Sequence, residues 1–273
     1  MKPTCPICPR GCSPEENQTG FCRARANING AITCLNYGRI TSVTLDPIEK
    51  KPLRRFFPNS MILSAGSFGC NFRCGFCQNH GISMSGAESR TAYVPPEELV
   101  EKAAGLIPEG NIGIAYTYNE PLVGYEYVYD CAKLARERGL KNVLVTNGYI
   151  TEQPLSELLP FIDAANIDVK GFTAEFYGKI QGDLESVKRT VELSYGKCHI
   201  EITALIIPGE NDAPDEILAL SEWISKLDKN IPLHLSRYFP RHNYSAEPAS
   251  VAKLRELREI AKKNLDYVYL GNV

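Results

Sequence analysis

Three closely spaced cysteines, Cys70, Cys74 and Cys77, are the residues of this sequence best suited to chemistry, and their spacing is C-x3-C-x2-C. Each thiolate on such a short loop can bind one iron of a cubane, because thiolates are the usual ligands of iron–sulfur clusters. Structural zinc sites instead present paired C-x2-C knuckles. No cysteine lies between residues 78 and 130, so one iron would keep an open coordination position. The spacing therefore predicts a catalytic cluster, with a zinc site or three core cysteines as alternatives.

A second group of cysteines lies near the N-terminus, where five of the ten cysteines fall within the first 34 residues. Cys5, Cys8, Cys12 and Cys22 could supply four ligands to one metal, either zinc or a second iron–sulfur cluster. Metal binding would supply folding energy that a short segment with little apolar surface lacks. Simple reduced thiols are the alternative. Three cysteines belong to neither set of candidate metal ligands and are interpreted as small buried residues: Cys34, Cys131 and Cys198.

Composition limits the classes of protein to consider. The chain has 273 residues, of which 44% are apolar and 23% charged, and its net charge is −2, so no basic field points to a nucleic acid. No apolar run approaches the ~20 residues that cross a bilayer, and the N-terminus lacks a secretory apolar core. We therefore expect a cytoplasmic monomer without nucleic-acid or membrane partners. Clustered cysteines in a reducing compartment indicate metal chemistry rather than disulfides.

Patterning along the chain predicts two parts, a Cys-rich segment over residues 1–58 and an α/β domain over 59–273. In the first part, short β-type runs at 31–35 and 39–45 predict a hairpin around residues 36–38. In the second part, strands are expected at 61–68, 112–116, 142–146, 164–169, 199–207 and 232–238, with a short one at 267–270. Helices are expected at 96–107, 122–138, 151–159, 184–195, 214–227 and 248–264. This alternation predicts a parallel sheet, and the length favours an incomplete (β/α)6 barrel.

Polar residues follow the predicted strands at their carboxyl ends, where parallel α/β folds bind ligands. The candidates are Asn119, Glu120, Asn147, Asp168, Lys170 and His234. Each also has a structural explanation. Glu120 could complement the dipole of a helix start, Asn147 could be a turn residue, Lys170 could pair with a strand-end carboxylate, and His234 could be a core histidine.

The cysteine loop resembles the C-x3-C-x-aromatic-C signature of the radical S-adenosylmethionine superfamily, with Phe76 at the aromatic position. The resemblance implies a [4Fe–4S] cluster whose unique iron is chelated by S-adenosylmethionine. It also implies reductive cleavage of that cofactor to a 5′-deoxyadenosyl radical, which abstracts hydrogen from a substrate. Phe76 would lie beside the adenine. His234 is interpreted as a hydrogen-bond donor to the cofactor.

Further motifs resemble the pyruvate formate-lyase activating enzyme-like branch, and more closely its AmmeMemoRadiSam-system members: Cys8-Pro9-Arg10-Gly11-Cys12, Gly20-Phe21-Cys22 and Tyr118-Asn119-Glu120-Pro121. The resemblance implies that Glu120 and nearby backbone receive the methionyl ammonium, and that Asn147 and Lys170 face the cofactor or substrate. The chain departs from the branch where Thr117-Tyr118-Asn119 replaces its glycines and where Val145 replaces an aspartate. The implied partners are a low-potential donor, ferredoxin or flavodoxin, and a glycyl-radical enzyme.

Three functions remain open from the sequence. The first is a glycyl-radical-enzyme activase working anaerobically, and the second is a radical enzyme that modifies a small molecule or another protein. The third is a non-catalytic iron–sulfur protein for electron transfer. Cleavage of S-adenosylmethionine by the reduced protein separates the first two from the third, and a glycyl radical on a partner separates the first from the second.

Overall fold

Strands and helices alternate along the computed structural model, which describes residues 2–273. The strands are β1 (Arg25–Ile28), β2 (Ala31–Cys34), β3 (Arg39–Ile40), β4 (Ser42–Pro47), β5 (Met61–Gly66), β6 (Ala92–Tyr93), β7 (Asn111–Tyr116), β8 (Lys141–Thr146), β9 (Ala164–Asp168), β10 (His199–Ile206), β11 (Leu233–Arg237) and β12 (Val268–Gly271). The α-helices are α1 (His80–Ser83), α2 (Pro96–Gly105), α3 (Tyr125–Glu137), α4 (Glu152–Leu158), α5 (Ala174–Lys179), α6 (Leu184–Ser194), α7 (Pro214–Asp228) and α8 (Val251–Ala261). Short 3₁₀ turns cover Ile48–Lys50, Ile107–Glu109, Pro121–Gly124 and Leu159–Phe161.

The central sheet has the strand order β12-β11-β10-β9-β8-β7-β5-β4. From β5 to β12 the neighbouring strands are parallel, and β4 adds an antiparallel edge. The α/β fold with a parallel sheet is therefore confirmed. Seven parallel strands are present where six were clearest from the sequence, because β12 pairs with β11 along its whole length. Since β12 and β4 lie at opposite edges of this order, the sheet is open over residues 2–273.

The N-terminal hairpin lies earlier in the chain than the sequence pattern suggested. β1 pairs with β2 across Asn29-Gly30, and both turn residues have positive φ, 52° and 75°. Asn-Gly favours this turn because its twist matches that of the flanking strands. The expected hairpin around residues 36–38 was wrong: β3 pairs instead with β6, and β4 pairs with β5. Residues 2–58 thus contribute an edge strand to the central sheet.

Helices cover the outer face of the sheet with apolar side chains. Leu99 on α2, Leu220 on α7 and Leu254 on α8 are at most 1% exposed and belong to one large cluster. Burying such a side chain contributes about 1.5–3 kcal/mol. A smaller cluster, with Leu53 and Phe56 from the segment after β4, packs against residues of β5, β7, β8 and β9. Within residues 2–273, helices fall short of the length and apolarity needed to cross a bilayer.

Candidate active site

The loop between β5 and α1 carries Cys70, Cys74 and Cys77 at the carboxyl end of the first parallel strand. The backbone N–H of Phe72 lies 3.4 Å from Cys70 Sγ, and the Cys77 N–H donates to the Cys74 carbonyl over 3.1 Å. Cys74 is buried, whereas the other two cysteines are partly exposed. The three cysteines therefore lie on one short loop, and the residues that follow them, Gln78, Asn79 and His80, are exposed to solvent.

Arg73 fastens the cysteine loop to the rest of the protein. Its Nη1 donates to the carbonyls of Cys70 and Phe72, each over 2.9 Å, and its backbone N–H donates to the Ile180 carbonyl over 3.0 Å. Its Nη2 donates to the carbonyl of Phe21 in the N-terminal segment. Because these bonds satisfy the carbonyls that the turn leaves unpaired, Arg73 fixes the loop conformation.

Glu120 lies at the end of β7 and reaches the end of β8. Its Oε1 accepts from Thr146 Oγ1 over 2.7 Å and from the Leu122 N–H over 3.1 Å, and its Oε2 accepts from the Asn147 N–H over 2.8 Å. The Glu120 N–H donates to the carbonyl of Gly69 over 3.3 Å, which places it next to the cysteine loop. Burial raises the pKa of Glu120 to about 7, although these hydrogen bonds oppose the rise. The carboxyl group is thus buried and held in one orientation by its hydrogen bonds, and its charge changes near neutral pH.

Asn147 links the third strand end to the first. Its Nδ2 donates to Asn71 Oδ1 over 2.8 Å and lies 3.7 Å from Cys70 Sγ, while its Oδ1 accepts from the Tyr149 N–H over 2.9 Å. Asn71 in turn donates to the Tyr149 carbonyl over 2.7 Å. An amide beside a cysteine sulfur can donate a weak hydrogen bond that stabilises the thiolate.

Asn119 holds two loops together. Its Nδ2 donates to the carbonyls of Phe68 and Gly69, and its Oδ1 accepts from the Ser67 N–H over 2.9 Å. The preceding residue, Tyr118, has a φ of 73°, the left-handed region that favours glycine. Tyr118 therefore keeps the backbone conformation that glycine favours, and the side-chain hydrogen bonds of Asn119 stabilise the turn.

Asp168 and Lys170, from the end of β9, form an ion pair with 2.7 Å between Oδ2 and Nζ. Although burial opposes the charged form, the carboxylate of Asp168 raises the pKa of Lys170 above its usual value. A fixed positive charge therefore lies near the cysteines.

Phe76, between the second and third cysteines, is 5% exposed and packs in an aromatic group. Its ring stacks on Phe176 at 6.0 Å between centroids and meets Tyr244 edge-on at 5.6 Å. A Cβ at Gly75 would lie 2.6 Å from the Tyr244 ring, so the segment before α8 closes directly over this part of the loop.

Comparison with known proteins identifies the family. The Radical SAM superfamily model matches residues 66–221, which include the cysteine loop and the strand ends described above. The chain belongs to the radical S-adenosylmethionine (radical SAM) superfamily. It is 43% identical over 278 residues to an uncharacterised protein of Methanocaldococcus jannaschii, covering 100% of this chain and 82% of that protein.

A more distant relative and a solved structure are also similar to this chain. The chain is 27% identical over 167 residues to the pyruvate formate-lyase-activating enzyme of Clostridium pasteurianum, covering 58% of this chain and 67% of that enzyme. The structure of TYW1 with a lysine–pyruvate adduct bound superposes with a TM-score of 0.55 at 18% identity, covering 76% of this chain and 74% of that one. The second likeness supports the fold alone.

Radical SAM membership implies a [4Fe–4S] cluster and S-adenosylmethionine, and the residues of the loop fit the cluster. Burial raises the pKa of Cys74 to about 12, and Cys77 and Asp168 act in the same direction, while Lys170 opposes them. Such thiols need a bound cation to become thiolates. Three of them on one loop leave a fourth iron free for another ligand, which is the arrangement that the cofactor requires.

His234 is not brought to this radical SAM site. Its Nε2 lies 2.6 Å from Glu201 Oε2, near the amino end of β11, and its ring stacks on Tyr269. Glu201 also lies 3.0 Å from His199 Nε2 and accepts from the backbone N–H groups of the segment after β4. This places His234 in a buried network near the amino ends of β10 and β11, the core-histidine alternative.

Three residues near the cysteine loop escaped the sequence interpretation: Asn71, Thr146 and Tyr244. Asn71 lies inside the cysteine motif, and Thr146 precedes Asn147, so their proximity to candidate residues was an available signal. Nothing local marks Tyr244, because its contact with Phe76 joins residues that are far apart in sequence.

Proposed function

We propose that this radical SAM protein is a glycyl-radical-enzyme activating enzyme, which cleaves S-adenosylmethionine reductively and removes hydrogen from a glycine of a partner enzyme. The observation that carries the cleavage step is the convergence of Glu120 with the three-cysteine loop, through the Gly69 carbonyl and the Asn147 amide. The activase role is supported by similarity to the Clostridium pasteurianum enzyme and by the Glu120-Pro121 pair that resembles its branch.

The three cysteines and their neighbours would hold the cluster and keep one position open. When bound, the cluster and S-adenosylmethionine together supply the electron transfer and bond cleavage that yield a 5′-deoxyadenosyl radical. Asn147 would donate toward Cys70, and Arg73 would keep the turn closed around the metal. The protein's part is to orient these groups and to exclude water.

Glu120 would bind the ammonium group of the cofactor. Its two oxygens are fixed by Thr146, Leu122 and Asn147, so the carboxylate needs no reorganisation. A neighbouring cation favours the charged form of a carboxyl group. Binding would therefore lower the pKa of Glu120 from about 7 and release a proton when the pH is below that value.

Phe76 would support the adenine and the Asp168–Lys170 pair would face the substrate. The rings of Phe76, Phe176 and Tyr244 form an apolar group beside the cysteines. Lys170 carries a fixed charge next to Cys74 and Cys77. The exposed residues 78–80 leave this end of the sheet accessible to a loop of a partner protein.

The proposal is tested anaerobically with reconstituted protein, first with dithionite and then with reduced ferredoxin or flavodoxin. Deoxyadenosine should form, and incubation with a glycyl-radical enzyme should give the glycyl doublet in the electron paramagnetic resonance spectrum. The Cys74→Ala variant is the control for both signals. Deoxyadenosine without a glycyl radical on any such enzyme would overturn the activase role and leave a small molecule or another protein as substrate. Absence of deoxyadenosine would overturn the cleavage itself.

A further inference from the structure

The four N-terminal cysteines surround one cavity. Cys5, Cys8, Cys12 and Cys22 all line it, together with Arg10, Gly20, Arg25 and apolar side chains. The segment is closed on itself by the Cys5 N–H, which donates to the Cys12 carbonyl over 2.8 Å. A Cβ at Gly20 would lie 3.5 Å from Cys12 Sγ, so this glycine leaves room beside the sulfur. Cysteines far apart in the segment thus line a common space.

A buried arginine lines the same cavity. Arg25 is 5% exposed, and its Nη1 and Nη2 pair with the carboxylate of Glu126 at 2.7 and 2.5 Å. Its Nε is buried and has no hydrogen-bond partner among residues 2–273. An unsatisfied buried donor costs free energy. Four thiolates around a metal carry excess negative charge, and a sulfur of such a centre would accept a bond from this N–H.

We propose that Cys5, Cys8, Cys12 and Cys22 bind a second metal centre, a four-thiolate site occupied by zinc or by an iron–sulfur cluster. Both groups are held by all-cysteine donor sets. Within residues 2–273, no three His, Cys, Asp or Glu side chains converge at the separations found around a single ion. The same holds for the loop of Cys70, Cys74 and Cys77, for which the family implies a cluster. Binding of a single metal ion would therefore draw the four sulfurs closer together, whereas binding of an iron–sulfur cluster would fill the wider space between them.

This second centre would also support the radical SAM loop. A Cβ at Gly69 would lie 2.6 Å from the Cys22 carbonyl, and Gly69 has a φ of 90°, so the two segments touch at a residue that must be glycine. Arg73 donates to the Phe21 carbonyl, and Arg10 Nε donates to the Asn71 carbonyl over 2.9 Å. A metal that fixes residues 5–22 would therefore fix one wall of the catalytic loop.

The test measures metal in a variant that lacks the catalytic cluster but keeps all four N-terminal cysteines. In Cys70→Ala/Cys74→Ala/Cys77→Ala, iron, zinc and acid-labile sulfide are counted per chain, in protein as purified and after anaerobic reconstitution. We expect about one zinc, or about four irons with matching sulfide. Adding Cys5→Ser and Cys12→Ser should remove that metal, whereas adding Cys198→Ser should not.

Zinc or iron retained in the triple variant and lost with Cys5→Ser and Cys12→Ser would support the site and name its occupant. The site would be overturned if the metal content of the triple variant were no higher than that of the variant that also carries Cys5→Ser and Cys12→Ser. Because the deciding measurement uses intact N-terminal cysteines, misfolding of the Cys5→Ser variant cannot imitate a negative result, and circular dichroism checks each protein. The result does not depend on whether the protein cleaves S-adenosylmethionine or activates a partner.

Discussion

Replacing Glu120 by glutamine should weaken the binding of S-adenosylmethionine while changing the free energy of unfolding little. The amide of the Glu120→Gln variant would keep an oxygen for Thr146 and Leu122, but its Nε2 would meet the N–H of Asn147, which in the wild type donates to Oε2. Leaving the buried N–H of Asn147 without an acceptor costs about 1–3 kcal/mol.

The buried charge of Glu120 offsets that loss. A pKa that rises from 4.5 to about 7 means that the ionised carboxylate costs the fold roughly 3 kcal/mol above that pH, at about 1.4 kcal/mol per tenfold. The glutamine removes this cost. The two contributions are similar in size and opposite in sign, so near pH 8 the free energy of unfolding should change by no more than about 1 kcal/mol.

Binding should respond differently, because the ammonium group of the cofactor loses its charged acceptor. A loss of about 1.5–3 kcal/mol corresponds to a dissociation constant roughly 10- to 100-fold higher. Anaerobic equilibrium dialysis of reconstituted protein measures it, and urea unfolding measures stability on the same preparations.

Glu201 supplies the matched control, since it is a second buried glutamate with the opposite pKa shift. Although burial opposes it, hydrogen bonds from His199, His234 and the backbone of Arg54 and Arg55 lower the pKa of Glu201 to about 2. Glu201→Gln should therefore destabilise the protein by roughly 3 kcal/mol and leave the dissociation constant of S-adenosylmethionine unchanged.

The two glutamates also predict opposite pH dependences. The stabilisation from Glu201 is present above pH 4.5 and is lost as the pH falls toward 2, because the folded state holds the charged form. Glu120 instead makes the protein less stable as the pH rises from 4.5 to 7, because the folded state holds its proton more tightly. If Glu120→Gln bound the cofactor as tightly as the wild type, the assignment of Glu120 would be refuted. A large loss of stability in Glu120→Gln near pH 8 would refute the argument that the lost hydrogen bond and the removed buried charge offset each other.

Three further outcomes are expected. Cys74→Ala should reduce deoxyadenosine formation to background and lower the iron content of the reconstituted protein, with the far-ultraviolet circular dichroism unchanged; turnover by this variant would contradict the cluster assignment. Phe76→Ala removes a ring packed against Tyr244 and should lower the free energy of urea unfolding by about 3–5 kcal/mol, whereas a change below about 1 kcal/mol would mean that the aromatic group is loosely packed. Asp168→Asn and Lys170→Met should couple by about 1 kcal/mol in a double-mutant cycle of unfolding, and strict additivity would show that their ion pair contributes nothing.

Local signals in the sequence were enough for the elements and for the catalytic loop. Helix α7 begins at Pro214, and β5 ends before the cysteine motif, much as the apolar patterns and the proline and glycine positions indicate. The spacing of Cys70, Cys74 and Cys77 carries its chemistry within eight residues, so it needs no knowledge of the fold. These features depend on neighbours along the chain, which is why the sequence determines them.

The tertiary structure decided which distant residues meet. Glu120 reaches Thr146 and Asn147 only when β7 and β8 lie side by side, and the packing of the sheet brings His234 to Glu201 instead of to the cofactor site. The N-terminal hairpin was mispredicted because two turn signals compete there, and pairing of β4 with β5 removes the second candidate. Strand register and long-range contacts are set by the whole core, so residues joined by them leave no periodic or local signal. The cysteine loop could be recognised from the sequence, but its supporting carboxyl, amides and aromatic rings could be assembled only by the fold.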